Sequence, residues 1–483
     1  MDFKNFLPPP ADLYFVGIKG TGTCALAELM RNAGYRVSGS DTDEVFYTDT
    51  ILRELSIPYH ESFRAEHIKD DFGLVIYSAA YSPETNPELA EVRRRGIPLM
   101  KYPEALGAWS ALFNSSGIAG VHGKTTTAAM TGTLVRALGI PAQVLAGSAV
   151  ASFNNRSTLT VGDKYFIAET CEYRRHFLSF HPSNIVLTAV EEDHQDYYPT
   201  YDSIRDAFLE YCRLLPPGGN LIYCADDDGA AEVARMAENE RRGIRLVPYG
   251  FKAGGPFRIE SYRVLDERAE MNLSVFPGAL TLRIPGRHEA LNAAAALALC
   301  TVLLNGEGSE GEVWDGGRRE KAKRGLEEFR GSRRRSEIVG EAGGILFMDD
   351  YGHHPTAIAA TLGGLKEFYP RRRIVVSFMS HTYTRTAALL DEFASSFDAA
   401  DVVVLHKIYA SAREINHGGV DGRTLFEKTR ARRGEVFYAE EPMEAMPLLK
   451  ETLREGDLFI TMGAGNNWPL GAALFACFGG RKP

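Results

Sequence analysis

The sequence predicts an α/β protein with three domains: an N-terminal Rossmann-like domain, a central domain with a P-loop and a mostly parallel sheet, and a C-terminal Rossmann-like domain. Three observations carry this prediction. A glycine-rich turn follows the first predicted strand, a second glycine turn leads into a helix near residue 120, and strands alternate with helices through the last third. Such alternation is typical of parallel α/β sheets.

Length and composition agree with a soluble multidomain protein. At 483 residues the chain exceeds one ordinary core, and the usual domain size predicts about three domains. Hydrophobic residues make up 45% and charged residues 24%, as in globular proteins. The formal charge of -9 gives no basic surface for nucleic acid, so no nucleic-acid partner is expected.

The cysteines and apolar runs indicate a compartment. Six cysteines lie singly, without the spacing of a zinc site or a disulfide framework, which predicts a reducing cytoplasm. The first ten residues lack a basic segment followed by an apolar one, so no signal peptide is expected. The strongest apolar run, 293–304, is shorter than a bilayer requires and predicts a buried helix without membrane insertion.

The N-terminal segment has a Rossmann-like βαβ pattern. A strand at 13–17 leads into Gly17-Ile-Lys-Gly20-Thr21-Gly22, a helix follows to residue 33, and a second strand ends at Ser40 and Asp41. Further strands are predicted at 74–78 and 98–100. Because the glycine spacing differs from the dinucleotide fingerprint, a dinucleotide and another diphosphate such as a UDP-sugar fit equally well.

Residues 117–127, Gly-Ile-Ala-Gly-Val-His-Gly-Lys-Thr-Thr-Thr, predict a nucleoside triphosphate site. The turn from Gly120 through His122 to Gly123 would direct backbone N–H groups at phosphates. Lys124 would reach the outer phosphates, Thr125 would offer a hydroxyl to Mg²⁺, and Thr126 opens the helix predicted at 126–138. Ile118 stands where a P-loop usually has its first glycine, so the cradle is shortened.

Acidic residues follow the next predicted strands. Glu169 ends a strand at 164–168, and a strand at 185–190 leads to Asp193 and His194. Because the carboxyl ends of parallel strands face one crevice, Glu169 and His194 are candidate metal ligands beside Thr125. Solvated loop residues are the alternative for each of them.

Further polar clusters occur in the last two hundred residues. His288 and Asn292 share a helix face at i, i+4 and could contact a base or simply cap and pack. Arg334, Arg335 and Arg385 suit phosphate or carboxylate because guanidinium donates two parallel hydrogen bonds. The adjacent His353 and His354 follow a strand, and hydrogen bonding to an anionic substrate is favoured there over a transition metal.

Together these motifs resemble the Mur ligases, the ATP-dependent amino-acid ligases of peptidoglycan precursor synthesis. The likeness spans the chain, from the turn at 17–22 and the cradle at 120–127 to the segments at 349–355 and 381–386. The resemblance implies a UDP-substrate domain at 1–108, an ATP-binding domain at 109–326 and an amino-acid-binding domain at 327–483. Oligomeric state is not predicted.

The resemblance also implies substrates and roles. The lactyl carboxylate of UDP-N-acetylmuramate would attack the γ-phosphate of ATP, and L-alanine would displace phosphate from the acyl phosphate. The implied assignments are as follows: metal (Mg²⁺, with Mn²⁺ as an alternative), Thr125, Glu169 and His194; ATP, Gly120, His122, Gly123, Lys124, Thr125, Thr126, His288, Asn292, Arg334 and Asp349; UDP-substrate, Gly17, Gly20, Thr21, Gly22, Ser40, Asp41 and Ser78; amino acid, Tyr351, His353, His381 and Arg385; catalysis, Lys124, His194, His353, His381 and Arg385.

Three departures from the family pattern stand out. Cys171 replaces an acid in Glu169-Thr-Cys171-Glu172, Thr382 follows His381 where arginine is common, and no lysine occurs between Pro199 and Pro216, so no carbamylated lysine is expected. A ligase that attaches a ready-made tripeptide to the same sugar is the nearest alternative, and the His-Thr-Tyr-Thr-Arg-Thr segment favours L-alanine. A non-catalytic nucleotide-binding regulator and an NAD-dependent dehydrogenase explain fewer of these residues.

Overall fold

The computed structural model describes residues 7–195, 197–240, 243–265, 267–306, 313–410 and 419–480. These residues form a mixed α/β protein whose strands are mostly parallel to their neighbours. They cluster into two compact units. The first unit draws on the ranges 1–190, 205–248 and 295–313, and the second on 191–204, 249–294 and 314–483. The domain boundaries at 108/109 and 326/327 remain predictions.

The first sheet of the first unit has five parallel strands in the order β3-β2-β1-β4-β5. Its strands are β1 Asp12–Val16, β2 Arg36–Ser40, β3 Tyr59–His60, β4 Leu74–Tyr77 and β5 Leu99–Lys101, and its helices are α1 Thr21–Asn32, α2 Thr48–Glu54, α3 Pro87–Arg95 and α4 Tyr102–Ser110. The strand order reverses between β1 and β4, and ligands bind parallel sheets at such a switch point. The predicted residues Gly17 and Ser78 follow these two strands.

The second sheet contains the predicted phosphate cradle. Its strands run in the order β12-β11-β10-β6-β9-β7-β8, with β8 antiparallel to β7. They are β6 Asn114–Ala119, β7 Ala142–Val150, β8 Arg156–Thr160, β9 Tyr165–Glu169, β10 Asn184–Leu187, β11 Asn220–Cys224 and β12 Arg245–Gly250, with helices α5 Lys124–Leu138, α6 Tyr201–Cys212 and α7 Asp228–Glu240. Helix α5 begins at Lys124, two residues earlier than predicted. Since β9 and β10 flank β6, their carboxyl ends lie beside the cradle.

The second unit holds two sheets. A three-stranded antiparallel sheet is formed by β13 Phe257–Leu265, β14 Arg268–Leu273 and β15 Phe276–Leu282. A six-stranded sheet has the order β16-β17-β21-β18-β19-β20, in which only β16 is antiparallel to its neighbour. Its strands are β16 Glu337–Ala342, β17 Ile345–Asp350, β18 Arg373–Phe378, β19 Val402–Leu405, β20 Val436–Tyr438 and β21 Asp457–Met462.

Helices cover this six-stranded sheet, as the alternating pattern predicts. They are α10 Pro355–Phe368, α11 Tyr383–Ala388, α12 Leu390–Ser395, α13 Gly422–Arg430, α14 Met446–Thr452 and α15 Trp468–Cys477, while α9 Gly316–Glu328 packs against β15. Phe347 and Phe459 on adjacent strands pack with Phe475 of α15 in a buried core. The sheet therefore places the carboxyl ends of β17, β18 and β21 at one edge.

The long apolar helix α8, Arg287–Gly306, is longer than the predicted segment at 293–304. Its 20 residues and mean hydropathy of 1.4 would allow it to cross a membrane by length and composition alone. However, 78% of its most apolar window is buried inside the protein. The interpretation as a buried core helix therefore holds, although the reason based on shortness was wrong.

A buried histidine joins three strands of the second unit. Ser377 Oγ donates to His406 Nε2 at 2.8 Å, and His406 Nδ1 donates to the Ala439 carbonyl at 3.0 Å. Burial lowers the pKa of His406 to about 4, because the charged imidazolium would lose its hydration. The neutral imidazole is therefore part of the folded structure.

This histidine makes stability depend on pH. With an ordinary pKa of 6.5, His406 binds protons more readily in the unfolded chain, so its contribution is complete above that pH and falls as pH drops towards about 4. We expect acidification from pH 7 to pH 5 to lower the unfolding free energy of the unmodified protein by about 2 kcal/mol more than that of His406→Gln, measured by urea denaturation. Identical pH dependence in both proteins would contradict this.

Candidate functional site

The glycine turn after β1 is held by the end of β2. Gly17 adopts a φ of +82°, and the N–H groups of Gly17 and Ile18 both donate to the Ser40 carbonyl, at 2.8 and 3.1 Å. The Lys19 N–H donates to Asp41 Oδ2 at 2.6 Å. Gly17, Ser40 and Asp41 therefore shape the turn. Gly20 then caps the start of α1, where Thr21 and Gly22 form the first helical turn.

A buried acid supports this turn. Glu88 is fully buried and accepts hydrogen bonds from the Ser40 hydroxyl, from Tyr14 Oη at 3.1 Å and from His67 Nδ1 at 2.7 Å. The Ser40 side chain is therefore directed into the protein, which the sequence analysis missed. On the other side of the turn, a side chain at Gly17 would lie 2.8 Å from Ser78 Cβ, so Ser78 packs directly against the turn.

The phosphate cradle follows β6 as predicted. Gly120 has a φ of +137°, and a Cβ there would lie 2.1 Å from Thr188 Oγ1, so only glycine fits. The Thr188 hydroxyl donates to the His122 carbonyl, which fixes the middle of the turn. Gly123, with a φ of +78°, ends the turn at the first residue of α5. The positive end of the helix therefore lies at the cradle.

The first residues of α5 contact the carboxylates that follow β9. Thr125 Oγ1 donates to Glu169 Oε2 at 2.7 Å, and the adjacent Thr126 is buried. Lys124 Nζ donates to the Gly120 carbonyl and lies 2.9 and 3.1 Å from the Glu172 carboxylate oxygens. The structure thus brings Lys124, Thr125 and Glu169 together as predicted and adds Glu172.

The charge of Lys124 is preserved by its neighbours. Burial lowers the pKa of Lys124, while Glu172, Glu169 and the nearby Cys171 raise it, and the net shift is upward. A buried ammonium needs such compensation because its hydration is lost. Lys124 is therefore charged at physiological pH.

A cavity lies between the glycine turn and the end of β9, and its volume is about 180 Å³. Thr21 and Gly22 line one side, and Glu169 and Cys171 line another. Apolar walls are supplied by Tyr102, Pro103, Leu106, Leu145, Phe177 and Phe180. The Glu172 side chain is not among the lining residues. Of the lining residues, Thr21, Gly22 and Glu169 were predicted from the sequence, whereas Thr170, His176 and Tyr102 were not.

In the second unit, a buried ion pair centres on Arg385. Its Nε donates to Asp193 Oδ1 at 3.0 Å and its Nη2 at 2.5 Å, and both side chains are at most 5% exposed. Burial would raise the pKa of Asp193, but Arg385, His194 and His353 hold it well below its usual range. The same carboxylate accepts the His194 N–H at 2.7 Å.

Aromatic side chains extend this cluster. The rings of His353 and His381 lie 6.1 Å apart, and His381 stacks on Tyr409 at 5.9 Å. His353 Nδ1 donates to the Tyr351 carbonyl at 3.0 Å, which leaves Nε2 as an acceptor. Burial, followed by the Arg385 charge, lowers the pKa of His353 well below its ordinary value, so the imidazole is neutral. Tyr351, His353, His381 and Arg385 therefore form one group, as predicted.

Two more predicted pairs occur in this unit. Asn292 Nδ2 donates to Glu289 Oε2 at 2.9 Å, and His288 Nε2 lies 3.5 Å from Glu289 Oε1. The buried Glu289 links these residues and was not predicted, although it adjoins His288 in sequence. Arg334 Nε donates to Asp349 Oδ2 at 2.9 Å and Arg334 Nη2 to the Gly463 carbonyl at 2.7 Å.

Some residues of the second unit have strained backbone conformations. His194, Arg334 and Thr382 have φ values of 54°, 57° and 70°, which side chains other than glycine rarely adopt. The β-branched Thr382, one of the departures noted above, is the most unusual of these. Such strain persists only where surrounding contacts impose it and is concentrated at functional sites.

The fold and these side chains define a nucleotide-binding α/β enzyme with a P-loop. Residues 12–114 match the description "Mur ligase family, catalytic domain", 118–300 "Mur ligase middle domain" and 334–465 "Mur ligase, glutamate ligase domain". The chain belongs to the Mur ligase family of ATP-dependent amide-forming ligases. The predicted family and three-domain α/β class are confirmed.

Among the relatives are two proteins named UDP-N-acetylmuramate–L-alanine ligase. One, from Treponema pallidum (strain Nichols), is 53% identical over 96% of both chains, and one from Borreliella burgdorferi is 38% identical over 95% of this chain and 97% of its own. The crystal structure of a UDP-N-acetylmuramate–alanine ligase from Thermotoga maritima matches with a TM-score of 0.76 at 24% identity, covering 97% of this chain and 99% of its own. A murein peptide ligase from Psychrobacter arcticus matches at 0.67 and 20% identity over 98% and 100%.

Removing the charge of Asp193 should destabilise the second unit. In Asp193→Asn the Arg385 guanidinium stays buried without its carboxylate, so we expect the unfolding free energy to fall by about 3 kcal/mol in urea denaturation. Asp398→Asn is a matched control, because its 3.5 Å pair with Arg432 is exposed and should contribute little. Equal losses in the two variants would show that the buried pair is not the stabilising contact.

Proposed function

We infer that this chain catalyses the ATP-dependent ligation of L-alanine to the lactyl carboxylate of UDP-N-acetylmuramate, a step of peptidoglycan precursor synthesis. Family membership and two relatives of that activity, 53% and 38% identical over nearly their whole length, support the inference. The structural observation that carries it is the cavity in the first unit, which begins at Thr21 and Gly22 and ends at Glu169.

The cavity suits a sugar that carries a diphosphate at one end and a carboxylate at the other. The N-terminus of α1 at Thr21 and Gly22 would bind the diphosphate, because helix N-terminal N–H groups attract anions. Leu106, Leu145 and Phe177 offer apolar surface to the sugar. The lactyl carboxylate would then lie near Glu169 and Lys124. Gly17, Gly20, Ser40, Asp41 and Ser78 support this site by shaping or flanking the turn.

A divalent metal fits the far end of the cavity. The substrate carboxylate and the ATP phosphates would repel Glu169, so a cation is required to neutralise them. Thr125 Oγ1 and Glu169 Oε2 are hard oxygen donors that lie 2.7 Å apart, close enough to coordinate one Mg²⁺, with Mn²⁺ as an alternative. His194, in the second unit, is proposed as a further ligand by family resemblance. When bound, the metal would polarise the γ-phosphoryl group.

The reaction proceeds in two displacements. A lactyl carboxylate oxygen attacks the γ-phosphorus of ATP, the bond to the β-phosphate oxygen breaks, and ADP leaves. The alanine nitrogen then attacks the acyl carbon, the C–O bond to phosphate breaks, and the nitrogen releases a proton to solvent. The N–H groups of the turn from Gly120 through His122 and Gly123 to Thr126 would hold the phosphates, and Lys124 would stabilise the transferring group.

We assign the amino acid to the group formed by Tyr351, His353, His381 and Arg385. Alanine reaches the enzyme as an ammonium ion and must lose a proton before it attacks. His353 is neutral, and its Nδ1 proton is engaged by the Tyr351 carbonyl, so Nε2 can accept a hydrogen bond from the ammonium group and orient it, while the proton passes to solvent. By family resemblance, His288 and Asn292 are assigned to the adenine, and Arg334 and Asp349 to the nucleotide.

We place the enzyme in the cytoplasm. All six cysteines are free thiols, and four of them are buried, as expected of a reducing compartment. ATP and a nucleotide-linked sugar as substrates agree with that location.

Phosphate release tests the activity. Mixing the protein with ATP, Mg²⁺, UDP-N-acetylmuramate and L-alanine should release phosphate and form a UDP-sugar heavier by one alanine residue, detected by mass spectrometry. Omitting L-alanine should stop product formation, and Lys124→Ala should abolish it. Product formation only with a preassembled tripeptide would favour the recycling reaction, and ATP binding without turnover would favour a regulator.

Tyr102 tests the assignment of the cavity. Tyr102 lines the cavity, and its hydroxyl lies against Gly22, where an added Cβ would be only 2.7 Å away, so the hydroxyl is placed to contact the substrate. We expect Tyr102→Phe to raise KM for UDP-N-acetylmuramate about tenfold and to leave KM for ATP unchanged. Tyr165→Phe, which loses a hydrogen bond to the Leu303 carbonyl outside the cavity, should leave both constants unchanged. An unchanged KM in Tyr102→Phe would remove this hydroxyl from the binding site.

A further inference from the structure

Glu172 is a nearly buried carboxylate in contact with the cradle lysine, Lys124. Its side chain is 3% exposed, against 12% for Lys124, and its two oxygens lie 3.1 and 2.9 Å from Lys124 Nζ. Glu169 and Cys171, on either side of it in sequence, line the cavity, whereas Glu172 does not. Lys124 does not line this cavity either, and Glu172 contacts this lysine directly.

The donors of Lys124 can be accounted for individually. An ammonium group has three N–H donors and accepts nothing. One donor is directed to the Gly120 carbonyl of the cradle, and the other two face the Glu172 carboxylate, whose oxygens lie 2.9 and 3.1 Å from Nζ. A phosphate oxygen would take one of these two donors while Glu172 keeps the other. The Gly120 carbonyl and the Glu172 carboxylate thus fix the direction in which a donor faces the phosphate.

The backbone around Glu172 is itself held firmly. The Arg175 N–H donates to the Glu172 carbonyl at 2.8 Å, and the Phe177 N–H donates to the Cys171 carbonyl at 2.9 Å. Arg174 and Arg175 have φ values of 51° and 58°, so two consecutive residues adopt the left-handed region. The protein maintains this costly turn directly after Glu172, which keeps the carboxylate at a fixed distance from Lys124.

We propose that Glu172 is a positioning residue that orients the Lys124 ammonium for phosphoryl transfer. The proposal rests on the function inferred above, because it assigns Lys124 to the transferring phosphoryl group. Orientation matters more for the transition state than for ATP binding, since the charge of the lysine attracts phosphates in any orientation while the transferring group requires a defined one. Loss of the Glu172 charge should therefore affect kcat and not ATP affinity.

The test compares Glu172→Gln with Glu172→Asp. We expect Glu172→Gln to lower kcat tenfold to hundredfold while Kd for a non-hydrolysable ATP analogue, measured by calorimetry, changes less than about threefold. Glu172→Asp keeps the charge and should recover part of kcat. An unchanged kcat in Glu172→Gln would overturn the proposal, as would an aspartate variant no more active than the glutamine variant.

Glu28→Gln is the matched control. Glu28 is also a buried acid of the first unit, and it pairs with Arg156 at 2.5 Å without contacting Lys124. This variant should lose thermal stability and retain kcat, which separates loss of a buried charge from loss of lysine orientation. If Glu172→Gln does not fold, Glu172→Asp alone decides: a lowered kcat with unchanged analogue binding supports the proposal, and a kcat equal to that of the unmodified protein overturns it.

The two inferences fail in different ways. If the unmodified protein forms no alanine product, the proposed function is wrong whatever the variants do. If the unmodified protein forms product and Glu172→Gln equals it in kcat, only the role of Glu172 is wrong.

Discussion

A charged lysine must be kept inside the protein at the start of α5, and much of the first unit is arranged around that requirement. Lys124 loses most of its hydration, which would favour the neutral amine. The Glu172 carboxylate and the Gly120 carbonyl restore the balance. The Glu172 contact depends on strand order, because β9 must lie beside β6 for the residues that follow it to reach the turn.

The glycine turn after β1 is held in place by polar contacts, as the cradle is. Its first three N–H groups are bonded to Ser40 and Asp41 at the end of the neighbouring strand, so the turn is rigid before any ligand binds. Glu88 fixes Ser40 in turn. A preformed turn lowers the entropy cost of binding a diphosphate. In both places a buried acid supports the binding loop by bonding to one of its residues or to a residue that holds it. These acids therefore do not resemble ligand-binding residues in sequence.

Much of the fold could be predicted from the sequence, because strand, turn and helix signals are local. The turn at Gly17 and the cradle at Gly120 were located to within a residue or two for this reason. Helix α8 was underestimated, since most residues beyond 293–304 are polar and the helix continues through them on both sides of the apolar run. The division into two compact units was not predictable, because it depends on packing between segments distant in sequence.

The candidate site was predicted less completely, and the missing residues share a physical cause. Ser40 and Glu88 are 48 residues apart, Lys124 and Glu172 also 48, and Asp193 and Arg385 are 192 residues apart. A sequence motif identifies residues within one loop. An ion pair joins residues of two loops, and the sheet topology determines which second loop lies close enough to supply the partner. Thr382 illustrates the consequence. Its departure from the family pattern suggests a lost anion contact, yet its strained backbone still places His381 beside His353, and Arg385 is supplied by the following turn of helix. The segment therefore presents His381 and Arg385 through its backbone path, which brings the two side chains within 3.4 Å of each other.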